Sequence, residues 1–150
     1  MQRLFDTIAL GNLTLANRFI FPPIKTACGT SKGNVTDRHL TYYRQIAHNG
    51  PGLLILEPVA VTVEGKEHPK QLCVHLPESA AELKKIVDVI HAENRLACLH
   101  LNHAGAAAKP KATGVSPKAP AAMTCPTTGA AADVLTEKEI GAIVDGYRSA

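Results

Sequence analysis

Residues 96–105 read Leu-Ala-Cys-Leu-His-Leu-Asn-His-Ala-Gly and carry the clearest architectural signal in the chain. The first six are almost wholly apolar. They come directly after a segment with helical periodicity, so they predict a strand buried on both faces. His100 and His103 appear as this strand ends, and Gly105 allows a turn. Ligands of parallel α/β folds bind beyond the carboxyl ends of the strands. The two histidines are therefore the first candidates for a site.

The composition is that of an ordinary globular protein. The 150 residues are 45% hydrophobic and 19% charged, with a formal net charge of +3. No aromatic residues alternate with the scattered lysines, so we do not expect nucleic-acid binding. No apolar run approaches the ~18 residues that span a bilayer, and the amino terminus lacks the long apolar region of a signal peptide. The four cysteines match no zinc or disulfide pattern. We therefore expect a cytoplasmic protein with reduced thiols and no membrane association.

Around the strand at 96–101, predicted strands alternate with predicted helices. Apolar alternation around Gly11-Asn12 predicts a short hairpin over 8–15, and apolar runs predict strands over 19–21 and 53–56. Pro22-Pro23 ends the first of these strands, and Glu57-Pro58 interrupts the second where its carboxyl end is expected.

Helix-capping residues and an apolar period of 3.6 residues predict three helices. Thr36 begins one helix, and Ser79 begins another with Glu82 as its capping-box partner. Thr136 and Glu139 form a second capping box, ahead of an apolar stripe that runs from residue 140 to residue 147.

The resulting order is hairpin, β, α, β, α, β, long loop, α, which predicts a parallel sheet with right-handed crossovers. The loop over 102–135 is rich in Ala, Pro, Thr and Gly, and it is either a functional loop or a series of short helical turns. Three parallel strands cannot close a barrel and leave two edges unpaired. We therefore expect the first part of a longer α/β fold, completed by chain not shown or by a partner.

Five segments in order along the chain carry a family resemblance. They are residues 17–25 (Asn-Arg-Phe-Ile-Phe-Pro-Pro-Ile-Lys), 40–57, 100–105 (His-Leu-Asn-His-Ala-Gly), 116–120 (Ser-Pro-Lys-Ala-Pro) and 136–140 (Thr-Glu-Lys-Glu-Ile). Together they resemble the old yellow enzyme family of flavin oxidoreductases, within the branch that contains NADH:flavin oxidoreductases and dienoyl-CoA reductases. The match covers essentially the whole chain.

This resemblance implies an α/β fold of the parallel (β/α)8 TIM barrel type, with FMN over the carboxyl ends of the strands. Residues 1–150 would be the N-terminal part of a single FMN-binding barrel: its first three to four β/α units, preceded by a short β-hairpin. The implied activity is an NAD(P)H:flavin oxidoreductase or ene-reductase that passes hydride through the flavin to an activated C=C or related acceptor. An iron–sulfur cluster, where the family has one, would lie beyond residue 150.

The resemblance also implies which residues bind the cofactor. The expected FMN-binding residues are Pro22, Pro23, Ile24 and Lys25 from the first strand, Pro58 from the second and His100 from the third. A rigid Pro-Pro backbone suits a flat aromatic ring, and imidazole either donates or accepts at the pyrimidine edge. No catalytic residue and no metal ligand is assigned.

Two of these positions depart from the family pattern. The family usually has Gln where this chain has His100, and Cys, Thr or His where it has Lys25. An ammonium near the flavin would stabilise its reduced form, so Lys25 is expected to raise the flavin potential. We interpret Glu57 as a structural residue that pairs with Arg18 or caps a loop, and we assign His39 no role.

Two alternatives remain open at this point. His100 and His103 are also typical of a metal-dependent hydrolase barrel, although residues three apart on a regular strand face opposite sides. The other alternative is a non-catalytic truncated half-barrel. For the leading interpretation the expected partners are a small-molecule substrate and either a homo-oligomer or the missing remainder of the barrel. This segment alone is expected to be inactive and to bind FMN weakly or not at all.

Overall fold

The computed structural model of the chain describes residues 3–150. Met1 and Gln2, which begin the unit predicted over 1–150, lie outside the described residues. Near the amino terminus, β1 (Ile8–Leu10) and β2 (Leu13–Leu15) pair as an antiparallel hairpin. Gly11 takes a φ of 57° in its turn, a conformation that favours glycine.

The centre of the molecule is a parallel sheet with the strand order β3 (Ile20–Phe21), β4 (Leu53–Ala60) and β5 (Leu96–Asn102). The helices α1 (Asp37–His48) and α2 (Ser79–His91) connect these strands. One face of β4 packs against both helices. The core consists of Tyr43 and Ala47 from α1, Leu54, Leu56 and Val59 from β4, Leu72, and Leu83, Ile86 and Ile90 from α2.

The strand β4 is longer than the sequence predicts, which corrects the expected end at Glu57-Pro58. The strand passes through both residues to Ala60, with a shift of register against β5 between Ile55 and Pro58. Pro58 has no N–H to donate, and the bulge lets the strand continue without that hydrogen bond. The extension is then held by the backbone of Leu72, because the Ala60 amide donates to its carbonyl at 2.8 Å.

The strand β5 is not buried on both faces, contrary to the prediction. Cys98 and Leu99 are exposed, and the other residues of β5 are half-buried. Within residues 3–150, β5 is an edge strand of the central sheet. Its apolar sequence suits a fully covered strand, but no described element lies along its outer edge.

The capping box predicted for α2 does not form. The N-cap residue is Glu78, and the Ser79 hydroxyl accepts a hydrogen bond from the amide of Leu76 at 3.2 Å. The carboxylate of Glu82 pairs instead with Lys85, one helical turn further on. The helix still starts at the predicted residue, because its apolar face is buried in the core.

The segment 102–135 is not a structureless loop. A 3-10 turn (Gly105–Ala107) and a short helix α3 (Pro110–Thr113) come first. A small sheet follows, in the order β6 (Lys118–Ala119), β8 (Ala131–Val134) and β7 (Met123–Thr124). The short helical turns were among the expectations for this segment, whereas the sheet was not.

The last element is α4 (Glu137–Ser149), which begins with the predicted capping box. The Thr136 amide donates to Glu139 Oε2 at 2.9 Å, and the Glu139 amide donates to Thr136 Oγ1 at 3.3 Å. The apolar stripe of α4 remains uncovered: Ile140, Val144 and Tyr147 are each more than two-fifths exposed.

Candidate functional site

The first three parallel strands bring their carboxyl ends to one edge of the sheet. Ile20 of β3 pairs with Leu53 at the start of β4, and Pro58 near the end of β4 pairs with His100 of β5. Lys25, four residues beyond β3, lines the same cavity as Pro58. Lys25, Pro58 and His100 therefore lie at the same end of the sheet, where a ligand of a parallel α/β fold binds.

The bulge in β4 is fixed from the helix side by Tyr43. The amide of Glu57 donates a hydrogen bond of 2.7 Å to the hydroxyl of Tyr43, a fully buried residue of α1. Burial raises the pKa of Tyr43, so this hydroxyl keeps its proton. On the other side, the carbonyl of Pro58 accepts from Nε2 of Gln71 at 3.2 Å. The Glu57 amide and the Pro58 carbonyl at the bulge therefore both have hydrogen-bond partners outside the strand ladder.

The Glu57 carboxylate is buried, with only 2% of the residue exposed. It accepts a hydrogen bond of 2.7 Å from the Thr26 hydroxyl and a longer one of 3.4 Å from the Thr26 amide. Nε2 of His39, which is wholly buried, lies 3.3 Å from Glu57 Oε1 without the alignment of a hydrogen bond. Nδ1 of the same ring accepts from the Thr36 amide at 3.1 Å, so Nε2 is the ring nitrogen that faces Glu57.

This arrangement decides between the two interpretations of Glu57 and corrects the one of His39. Glu57 holds the loop residue Thr26 through its amide and hydroxyl, as the loop-capping interpretation expects, and forms no ion pair with Arg18 among the described residues. His39 lies beside Glu57 in a buried cluster, although the sequence assigned it no role. The spacing of the buried residues 39, 43 and 47 along α1 was the available signal, because positions four apart share one helix face.

The segment 22–25 lies at the surface next to this cluster. Pro22, Ile24 and Lys25 are exposed, and Pro23 is half-buried. Among the hydrogen bonds of residues 3–150, none uses the backbone amide of Ile24 or Lys25. The Lys25 ammonium forms an ion pair with Glu67 while its side chain remains 57% exposed.

The cavity at this edge is small in the described chain, at about 110 Å³. Lys25, Glu57, Pro58 and Glu67 are among its lining residues. Ligand pockets usually measure about 300–1,000 Å³. The surface therefore presents one wall of a site rather than an enclosed pocket.

His100 adds a polar atom that lacks a protein partner. The residue is half-buried, and its Nδ1 is buried with no hydrogen-bond partner within residues 3–150. A buried imidazole nitrogen without a partner is costly unless a ligand or water satisfies it. Together with the unused amides of Ile24 and Lys25, it gives this edge two donors and a ring nitrogen that either donates or accepts, a set that suits the alternating polar edge of a flavin ring.

His103 resembles His100 in one respect, because its Nε2 is buried without a hydrogen-bond partner within residues 3–150, but its other contacts differ. Its Nδ1 accepts from the Gly105 amide at 3.1 Å, and its ring packs directly on the backbone of Gly65. A Cβ atom at Gly65 would lie 2.5 Å from Cδ2 of His103. Burial lowers the pKa of His103, and the nearby Glu64 opposes that shift. This close packing favours a structural role for His103.

Two larger cavities, of about 570 and 370 Å³, lie elsewhere, between α4 and the loops that precede α2 and follow β5. None of the six expected FMN-binding residues lines either of them. We therefore place the candidate site by its chemistry at the strand ends rather than by cavity size.

Residues 3–150 hold no group of three or more His, Cys, Asp or Glu side chains arranged to bind a metal ion. Within those residues, no helix combines the length and the apolar character that crossing a bilayer requires.

Comparison with known proteins identifies relatives along the whole described chain. The model of the NADH:flavin oxidoreductase / NADH oxidase family matches residues 3–150. An NADH oxidase of Thermoanaerobacter brockii is 32% identical over 96% of this chain and 22% of its own length. An NADPH dehydrogenase of Clostridium acetobutylicum is 27% identical over 99% of this chain and 43% of its own length.

Solved structures agree with these sequence relatives. An old yellow enzyme homologue from Zymomonas mobilis superposes with a TM-score of 0.89 and 26% identity, covering 99% of this chain and 44% of that one. An old yellow enzyme from a Pichia species gives 0.86 and 28% identity, covering 97% and 41%. The chain thus has the fold of the first part of these barrels and spans less than half the length of the relatives it matches.

Proposed function

The chain belongs to the NADH:flavin oxidoreductase / NADH oxidase family, and we propose that it forms the part of an FMN-dependent barrel that binds one side of the flavin ring. The complete protein would take hydride from NADH or NADPH and deliver it to an acceptor. Relatives that are named NADH oxidase and NADPH dehydrogenase support this class of reaction.

The observation that carries the proposal is the convergence of three strand ends on one edge. Lys25 and Pro58 line a common cavity, and Pro58 is the register partner of His100. In this proposal Pro22, Pro23, Ile24 and Lys25 face the ring from the first strand, Pro58 from the second and His100 from the third. The unused amides of Ile24 and Lys25 and the buried Nδ1 of His100 are the polar atoms that remain available to it.

Bound FMN would supply the hydride chemistry, as flavin cofactors do in general. The residues of this chain would orient the ring and set its environment. Pro22 and Pro23 provide a stiff wall, because proline fixes its own φ and restricts the preceding residue. His100 would contact the pyrimidine edge through one nitrogen, and Lys25 would place positive charge near the ring.

The finer parts of the proposal concern the acceptor and the assembly. We expect an activated C=C or a related small-molecule acceptor, in keeping with the ene-reductase branch that the sequence resembles. We expect a cytoplasmic enzyme that works as a homo-oligomer or through the remaining strands of its barrel. Because the chain spans 22–44% of the relatives described above, catalysis would require those strands as well.

The experiment that tests this function is an anaerobic titration of the full-length protein that contains the chain. Purified protein should show flavin absorption in the visible range, and NADH or NADPH should bleach it. Adding an α,β-unsaturated carbonyl compound should restore the colour. A colourless protein that does not bind added FMN would overturn the proposal, and elemental analysis that found stoichiometric zinc would favour a hydrolase instead.

A further inference from the structure

The cluster around Glu57 connects two of the segments that the proposed function places against the flavin. Thr26 follows Lys25 directly, and Glu57 directly precedes Pro58. The side chain of Glu57 holds Thr26, and its amide holds the bulge that presents Pro58. We propose that Glu57 is a positioning residue that locks the 24–26 segment to the β4 bulge, so that both keep the geometry required by the ring. This inference rests on the proposed function.

The burial of Glu57 argues for a specific role. A carboxylate with 2% exposure loses its hydration, and such a charge persists only where hydrogen bonds or opposite charges compensate. Its close partners within the described residues are the Thr26 hydroxyl and amide, with the His39 ring at 3.3 Å. An apolar residue would fill the same space at lower cost, but it would leave the Thr26 hydroxyl without its acceptor.

Apart from the ion pair between the exposed Lys25 and Glu67, the segment that Glu57 holds has few other restraints. From Pro22 to Lys25 the chain lies outside regular structure, and Ala27 takes a positive φ of 53°, which a non-glycine residue rarely adopts. The local anchors run through Thr26: the Cys28 amide donates to its hydroxyl at 3.2 Å, and that hydroxyl donates to Glu57. The Thr36 hydroxyl completes the connection to α1 by donating to the Cys28 carbonyl at 2.9 Å. Loss of the Glu57 charge should therefore loosen the 24–28 segment first.

His39 lies beside the carboxylate but forms no hydrogen bond with it among the described residues. Its ring is fixed by the Thr36 amide at Nδ1, so Nε2 stays directed at the Glu57 side of the cluster. Glu57 lines the cavity, but both of its carboxylate oxygens accept hydrogen bonds from Thr26, and the wholly buried His39 is not among the lining residues. The geometry therefore suits positioning rather than direct catalysis.

The test uses the full-length FMN-loaded protein with Glu57→Gln, which keeps the shape and removes the charge. Glu64→Gln makes the same change at an exposed position and is the matched control. For Glu57→Gln we expect FMN to dissociate on the order of tenfold faster, as expected when a hydrogen bond to a charged group is weakened. We also expect faster amide hydrogen exchange at 26–28, with an unchanged far-UV circular dichroism spectrum. Glu64→Gln should change neither quantity.

A second pair of variants tests the same hydrogen bond independently, in case Glu57→Gln misfolds. Thr26→Val removes the hydroxyl at constant shape, and Thr26→Ser retains it. Faster FMN release and exchange in Thr26→Val, with near-normal values in Thr26→Ser, would support positioning through this hydrogen bond. Wild-type release and exchange in both Glu57→Gln and Thr26→Val would overturn it. A wild-type protein that binds no FMN would instead overturn the proposed function, and this inference with it.

Discussion

The structure gives Lys25 an environment that reduces its expected effect on the flavin potential. A free ammonium beside the ring would raise the flavin potential strongly, but the structure pairs Lys25 with Glu67 and leaves the side chain 57% exposed. Solvent and the neighbouring carboxylate both weaken its field at the flavin. Lys25 is still expected to raise the flavin potential, but by a smaller amount.

Lys25→Ala in the full-length protein should lower the reduction potential of bound FMN. At the dielectric constant of water, one charge at ~4 Å contributes about 1 kcal/mol, which corresponds to a shift on the order of 20 mV for a two-electron couple. Glu67→Gln should move the potential upward, because it removes the charge that offsets Lys25. Equilibration with reference dyes measures both shifts, and an unchanged potential in Lys25→Ala would remove the claim.

His103 should make folding stability depend on pH. Burial holds its pKa below the ordinary value of 6.5, so the unfolded chain binds a proton more readily than the folded chain. The resulting stability is fully present above pH 6.5 and is lost as the pH falls through the lower folded pKa.

Urea unfolding at pH 7.5 and pH 5.5 measures this dependence on His103. The free energy of unfolding should be lower at pH 5.5, and His103→Gln should reduce the difference between the two values. His91→Gln, at an exposed position of α2, is the control and should leave the difference unchanged. An equal pH dependence in wild type and His103→Gln would contradict the assignment.

At the scale of the elements, α1 and β4 are joined by one hydrogen bond that the sequence does not reveal. The Glu57 amide faces away from the sheet ladder because of the bulge, and the Tyr43 hydroxyl is its acceptor. Tyr42, the adjacent residue, packs edge-on against Phe21 and has no hydrogen bond through its hydroxyl among the described residues.

Tyr43→Phe should therefore cost about 1–3 kcal/mol of folding free energy, because it leaves a buried amide without an acceptor. Tyr42→Phe removes the same atom and should stay within about 0.5 kcal/mol of wild type. Denaturant unfolding of the two variants provides the comparison. Equal effects would show that the bulge does not depend on this contact.

Periodic patterns predicted the helices well and the irregular elements poorly. The stripes of α1 and α2 are visible because buried positions recur every three or four residues. The extension of β4 was missed because Pro58 argues against a central strand. The compensating hydrogen bonds come from Tyr43, 14 residues from its partner Glu57, and from Gln71, 13 residues from its partner Pro58. The sheet of β6, β7 and β8 was missed because its strands of two to four residues show no alternation.

The candidate site was predictable in place but not in its internal contacts. Pro22-Pro23 marks the end of β3, and Glu57-Pro58 lies close to the end of β4, so the parallel strands bring these segments together. The link from Glu57 to Thr26 and His39 depends on how three separate segments pack, which no local pattern encodes. The roles of the six expected FMN-binding residues remain predictions.

At the scale of the whole molecule, the central sheet has two unpaired edges within the described residues. The order β3-β4-β5 leaves one side of β3 and one side of β5 free, and Ile20 and Leu99 on these strands are 51% and 38% exposed. Exposed apolar edges promote association with other strands. In the superposed barrels, this chain accounts for 41–44% of the length.

The 150-residue chain expressed by itself should therefore self-associate through β5. Leu99→Lys should weaken that association on the order of tenfold, because a charge on an edge opposes strand addition. Val115→Lys makes a similar change at an exposed position outside the central sheet and should have little effect. Sedimentation velocity over a range of concentrations compares the two variants. Equal self-association in both would show that the contact between chains does not involve β5.

The close packing of Gly65 on the His103 ring constrains how this part of the barrel can vary. The two positions share one small volume, with a Cβ at residue 65 only 2.5 Å from Cδ2 of the imidazole. Substitutions there should be coupled, so that alanine at 65 is tolerated only when residue 103 becomes smaller. Relatives with a bulkier residue at the first position should carry a compensating smaller one at the second.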